Sequence, residues 1–134
     1  MSAKGGFLTP LHLQDIDGEQ FQLLTPLIYR AADKTLYAVP AGFVTDFASI
    51  PRGLWWRYPK SGKWNRAAVL HDYLYVAGTR SRDQADALFL EALEACDVHW
   101  WTRRVFYQAV RLGGWKKWGE YRRQAEGPDM EMNG

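Results

Sequence analysis

The stretch Asn65–Tyr75 constrains this chain more than any other. Ala67, Ala68, Leu70, Tyr73 and Leu74 recur at helical rather than alternating spacing, so the segment reads as a buried helix. The adjacent pair His71-Asp72 sits in the middle of that apolar run. Taking a carboxylate out of water costs several kcal/mol unless it is paired, hydrogen-bonded or metal-bound. A fold that buries this helix must therefore bring polar groups to it from elsewhere.

The chain has 134 residues, 47% of them hydrophobic, enough for one domain with a real core and too few for two. Seven tryptophans mean that large rings fill the core or coat a contact surface. A formal charge of +2 gives no general reason to expect a nucleic-acid binder. The one cysteine, Cys96, excludes an internal disulfide framework and a cysteine-rich zinc site, and its apolar setting marks a packed thiol. Met1–Gly6 lacks the apolar run of a signal peptide. No apolar run approaches the roughly 20 residues needed to span a bilayer.

The first third of the chain reads as strands. Residues 7–16 partly alternate and contain Pro10, which suits an edge or interrupted strand. Asp17-Gly18 is a tight-turn signal leading into a second strand-like run over 20–30, itself interrupted by Pro26. Residues 35–40 and 42–45 are further extended pieces. Helical patterns follow, beginning with a short turn at 53–58. The His71 helix ends near Gly78, and Ser81 opens a second helix with a capping box completed by Gln84. A third helix runs from about Trp101 to Leu112, with Gly113-Gly114 as its stop. The expected fold is α+β: a small N-terminal antiparallel sheet of three to four strands packed against about three C-terminal helices. Residues 1–124 form the domain, and the polar residues 125–134 a flexible tail.

Three segments could answer His71-Asp72. Within the helix itself, Tyr75 lies one turn beyond His71 on the same side. Asp46, with Thr45 and Ser49, sits where a strand gives way to irregular chain, a frequent place for functional side chains. The first turns of the second helix carry Arg82, Asp83 and Asp86, with Asp86 beside the apolar stripe. One imidazole among carboxylates suits a divalent metal such as zinc, manganese or magnesium, with Asp46, His71 and Asp86 as ligands and a bound water as nucleophile. On that reading Asp46, His71 and Asp72 are the catalytic set, and Thr45, Ser49, Tyr75 and Arg82 bind substrate. The same residues also admit a structural role: Asp46 as a turn former and Asp72 in an ion pair with an arginine. A Ser49–His71–Asp triad is a third option, although nothing around Ser49 matches a Gly-x-Ser-x-Gly elbow.

Taken together, Val39–Pro51, Ala67–Tyr75 and Arg82–Phe89 resemble a small phage and prophage family, domain of unknown function family 1353, over about residues 20–115. The resemblance implies a phage or prophage origin, with the host cytoplasm or the virion as location. It also implies that Thr45, Asp46, Ser49, Pro51, His71, Asp72, Arg82, Asp83 and Asp86 are family motif positions. The expected function is a metal-dependent hydrolase acting on cell wall or another host substrate. The alternative is a non-enzymatic virion, tail or assembly component, or a protein that binds a host factor. The aromatic and basic run Trp115–Arg123 is a candidate contact for a partner or a membrane surface, unless its tryptophans fold back over the core.

Overall fold

Prolines and short polar turns divide the N-terminal third into six strands. A computed structural model describes residues 4–47, 49–50 and 62–133, with side chains as far as Ala125. The strands are β1 (Gly6–Phe7), β2 (Leu13–Asp15), β3 (Phe21–Leu23), β4 (Leu27–Arg30), β5 (Leu36–Val39) and β6 (Val44–Thr45). They form two antiparallel three-stranded sheets, ordered β1-β4-β5 and β2-β3-β6. The α+β class is as expected, but one sheet has become two. Pro10 separates β1 from β2, and Pro26 separates β3 from β4, because neither residue can donate to a ladder. At the second break the Thr9 hydroxyl donates to the Pro26 carbonyl and accepts from the Ile28 amide, satisfying groups that no strand pairs.

The Asp17-Gly18 turn joins β2 to β3. Asp15 Oδ1 accepts from the Gly18 amide at 2.6 Å, Asp17 Oδ1 accepts from the Gln20 amide at 2.7 Å, and Gly18 takes φ 84°. β6 then pairs with β3, Phe21 opposite Thr45, which fixes Thr45 on a rigid edge.

Among the described residues three helices follow: α1 (Asn65–Ala77), α2 (Arg82–Ala95) and α3 (Trp100–Asn133). Gly78 closes α1 in the left-handed conformation, and its amide donates to the Leu74 carbonyl. The Ser81–Gln84 capping box opens α2 as expected. Leu27, Tyr29 and Val39 of the sheet meet Leu70, Leu74, Phe89, Leu93 and Phe106 of the helices in one core. Tyr29 donates to Glu91 Oε1 at 2.5 Å, and the Ala32 amide donates to the same oxygen, so the sheet is also tied to α2 by hydrogen bonds. Cys96 is buried, and burial raises its thiol, consistent with a packing role. The short turn expected at 53–58, Trp55-Trp56 and the motif residue Pro51 lie outside the described residues.

The expected end of α3 at Gly113-Gly114 is overturned: the helix continues through both glycines. Each interior glycine costs about 1 kcal/mol relative to alanine. At Gly114 packing offsets that cost. A Cβ on Gly114 would lie 2.6 Å from the Tyr75 hydroxyl, so its bare backbone lets α3 lie against α1. Gly78 serves the same crossing from the other side, since a Cβ there would collide with the Arg122 guanidinium.

Candidate functional site

Adjacent helical positions point about 100° apart, and the structure uses this to answer His71 and Asp72 separately. His71 turns toward α2 and Asp72 toward β6. His71 Nε2 lies 2.6 Å from Asp86 Oδ1, and Nδ1 lies 2.5 Å from Ser49 Oγ. The ring is held between Tyr75 and Phe89, with centroids 4.4 and 4.6 Å away. With Asp86 ionised, the proton belongs on Nε2, which leaves the Nδ1 lone pair to accept from the Ser49 hydroxyl. Ser49, His71 and Asp86 therefore form a continuous serine–imidazole–carboxylate chain.

Asp86 is completely buried and densely answered. Besides His71, the Tyr75 hydroxyl donates to Oδ1 at 2.7 Å and Arg111 Nη1 donates to Oδ2 at 2.7 Å. Arg82 Nε stands 3.9 Å from Oδ2, while its Nη2 donates to the Val110 and Arg111 carbonyls on α3. Burial pushes the Asp86 carboxyl up, but hydrogen bonds from His71, Tyr75 and Arg111 outweigh it, and the net shift is downward. His71 is shifted downward as well: desolvation dominates, and the Asp86 contact offsets it only in part. The imidazole is thus neutral at pH 7.

Asp72 is set differently. Its Oδ2 accepts from the Thr45 hydroxyl at 2.7 Å, and Thr45 Oγ1 in turn accepts from the Phe47 amide. Burial pushes Asp72 up to about 6, against the Thr45 hydrogen bond and with the Asp46 charge adding to the rise. Asp46 itself stands 3.9 Å from Lys117 Nζ.

Ser49, His71, Asp72, Tyr75, Gly114, Lys117 and Tyr121 line a small cavity of about 30 Å³. A larger open groove of about 320 Å³, bordered by Tyr37, Arg80 and Glu91, contains none of these polar groups. The polar cluster borders the small cavity, not the groove.

Of the expected site residues, Thr45, Ser49, His71, Asp72, Tyr75 and Asp86 come together, and Arg82 braces the cluster from α2. Asp83 does not join them: its exposed carboxylate pairs with Arg111 at 2.9 Å. Asp46 faces Lys117. The expected ligand set Asp46, His71 and Asp86 fits a metal poorly as arranged, because both His71 nitrogens and both Asp86 oxygens already hold protein partners. Among the described residues no three His, Cys, Asp or Glu side chains gather in a metal-holding group.

The expected site lacks Lys117 and Tyr121 because a helix ending at Gly113 does not carry them to it; Arg111 lies inside the expected helix, but its reach to Asp86 is a contact between helices that local spacing does not show. Reading the helical period on through the two glycines places Gly114, Lys117 and Tyr121 on one face, spaced three and four residues apart. Trp118 shares the inner side, its ring edge-on to Tyr75 at 5.2 Å, and Arg122 Nη2 donates to the Tyr75 and Val76 carbonyls.

The chain is 28% identical over 96 residues to the uncharacterized protein y4jT of Sinorhizobium fredii (strain NBRC 101917 / NGR234), an alignment covering 70% of this chain and 29% of that protein. The chain thus spans less than a third of that relative's length. No solved structure matches it. The model of a family described as "Protein of unknown function (DUF1353)" matches residues 21–110, which include every residue of the polar cluster except Arg111, Lys117 and Tyr121, and the chain belongs to that family.

Proposed function

We propose that this protein is a hydrolase of the acyl-transfer type, with Ser49 as nucleophile, His71 as general base and Asp86 as the group that orients the imidazole. One observation carries the reading: the unbroken chain from Ser49 Oγ through both His71 nitrogens to Asp86, with links of 2.5 and 2.6 Å. A neutral imidazole fixed by a buried carboxylate is the state a general base needs. As Ser49 Oγ bonds to a substrate carbonyl carbon, its proton passes to Nδ1. His71 then returns that proton to the leaving group as the acyl bond breaks. A water next gives its proton to Nδ1 as it attacks the acyl-serine, and Nδ1 passes that proton to Ser49 Oγ as the acyl–oxygen bond breaks and the acid is released. Lys117, on the cavity wall, supplies a positive charge for the oxyanion.

The cavity admits only a small reacting group, so the bulk of a substrate would lie outside it. The phage or prophage origin that the family resemblance implies makes a host cell-wall amide or ester the first substrate class to assay. The deciding experiment treats the protein with a fluorophosphonate probe and assays a panel of activated esters. Labelling at Ser49, lost in Ser49→Ala and strongly reduced in His71→Ala, is the expected result. Activity that survives Ser49→Ala but disappears in a chelator would instead point to a metal-bound water.

A second reading treats the protein as a non-enzymatic phage component or host-factor binder. The near-complete burial of Ser49, His71 and Asp86 favours it, because a satisfied polar network can serve only to lock helices together. On that reading no probe labels Ser49, and the His71→Ala protein melts far below the parent.

A further inference from the structure

We propose that the outer face of α3 is a docking surface for an anionic lipid bilayer. The inner face of this helix closes the polar cavity; among the described residues nothing covers its outer stripe. Trp101, Arg104, Gln108, Leu112 and Trp115 follow one another at spacings of three and four residues, so they share one stripe, and all are exposed. Leu112 is 77% exposed, Trp101 59% and Trp115 58%, which is unusual for large apolar side chains aligned on one helix. Lys116 lies at the edge of the stripe, its ammonium 5.6 Å from the Trp115 ring centroid.

Charge selects the occupant. Between Trp100 and Gly119 the helix carries Arg103, Arg104, Arg111, Lys116 and Lys117 and no acidic residue. Arg103, Arg111 and Lys117 turn inward, to Glu94, to Asp83 and Asp86, and to Asp46. Arg104 and Lys116 stay exposed beside the tryptophans. A second copy of the chain placed symmetrically on this face would set like charges against each other. A nucleic acid would answer the cations but give no reward for burying Leu112. An anionic bilayer answers both, because indole rings favour the headgroup boundary, aliphatic side chains enter beneath it, and each cation gains from the negative surface. The helix is not long and apolar enough to cross a membrane, so it would lie in the plane of the surface.

The test is co-sedimentation of the full chain with vesicles of phosphatidylcholine alone and of phosphatidylcholine mixed with phosphatidylglycerol. Binding to the mixed vesicles, weakened by salt, is expected. Arg104→Gln and Lys116→Gln should each weaken partition about fivefold. Leu112→Ser combined with Trp115→Ser should weaken it more than about tenfold. The charge variants remove no buried side chain, so they keep the test decisive if the double variant melts early. The proposal is overturned by failure to sediment with either vesicle, or by sedimentation that the variants leave unchanged. It is equally overturned if the vesicles fail and light scattering shows a dimer that the variants dissolve. Retention on nucleic acid that the variants abolish, without vesicle binding, also overturns it.

Discussion

Asp86 and Asp72 are both buried carboxylates packed around one helix, and their surroundings drive them in opposite directions. Asp86 receives an imidazole, a phenol and a guanidinium, and its carboxyl is held below the usual range. Asp72 receives the Thr45 hydroxyl, lies near the like charge of Asp46, and rises to about 6. Burial alone therefore predicts neither state; the number and charge of the donors decide it. The largest expected effect follows from the better-answered group. Asp86→Ala leaves the Arg111 guanidinium, the Tyr75 hydroxyl and the His71 imidazole without their common acceptor. A buried donor left without its acceptor costs about 1–3 kcal/mol, and His71 and Tyr75 are orphaned together, a loss that urea unfolding at pH 7 would read directly. A loss below about 1 kcal/mol would mean that Asp86 is not the hub of this network.

Asp72 sets up the opposite pH dependence. A carboxyl whose folded pKa of about 6 exceeds its usual value of 3.8 keeps its proton more tightly in the folded state. Its contribution is therefore fully present below pH 3.8 and is lost as pH rises to about 6, at a cost of roughly 3 kcal/mol. Asp72→Asn removes that titration while retaining an acceptor for Thr45. The variant should match the parent near pH 4 and exceed its stability at pH 7, by up to the same amount. Asp86 runs the other way, its contribution present above pH 3.8 and fading in more acidic solution. His71, neutral in the fold, likewise loses its contribution as pH falls below 6.5. A parent and Asp72→Asn with parallel stability curves from pH 4 to 7 would show that Asp72 is ionised throughout.

The sequence exposed the polar half of this arrangement more clearly than the helical half. His71-Asp72 in an apolar helix signals that partners must exist, and the strand end at Thr45 and the start of α2 are where polar residues could supply them. What a sequence does not reveal is how α1 is rotated. Each of its two residues could have faced either neighbour, and rotation is set by the core packing of Leu70, Leu74 and Phe89. Ser49 was visible as a triad member, yet the missing Gly-x-Ser-x-Gly elbow argued against it. That elbow belongs to one strand–turn–helix geometry, whereas Ser49 reaches His71 from the chain after β6. Lys117 and Tyr121 were hidden for a different reason. Glycine is the commonest helix terminator, and only the close approach of Tyr75 explains Gly114 inside a helix. That contact joins residues far apart in the chain, which no local pattern encodes.

Removing one hydroxyl from each carboxylate gives the finest form of the comparison. Thr45→Val deletes the Asp72 hydrogen bond while nearly preserving shape, and Tyr75→Phe deletes one of several donors to Asp86. At pH 8, where Asp72 is ionised, the valine variant should lose about 1.5–3 kcal/mol, the range for a hydrogen bond to a charged group. Near pH 4 it should lose less, because a protonated Asp72 no longer depends on a donor to balance its charge. The phenylalanine variant should lose only about 0.5–1.5 kcal/mol, since Arg111 and His71 still hold Asp86. Its loss should also stay nearly constant between pH 5 and 8, because Asp86 remains ionised across that window while keeping its charged partners. Equal losses in the two variants at both pH values would show that the surrounding donors do not distinguish the two carboxylates.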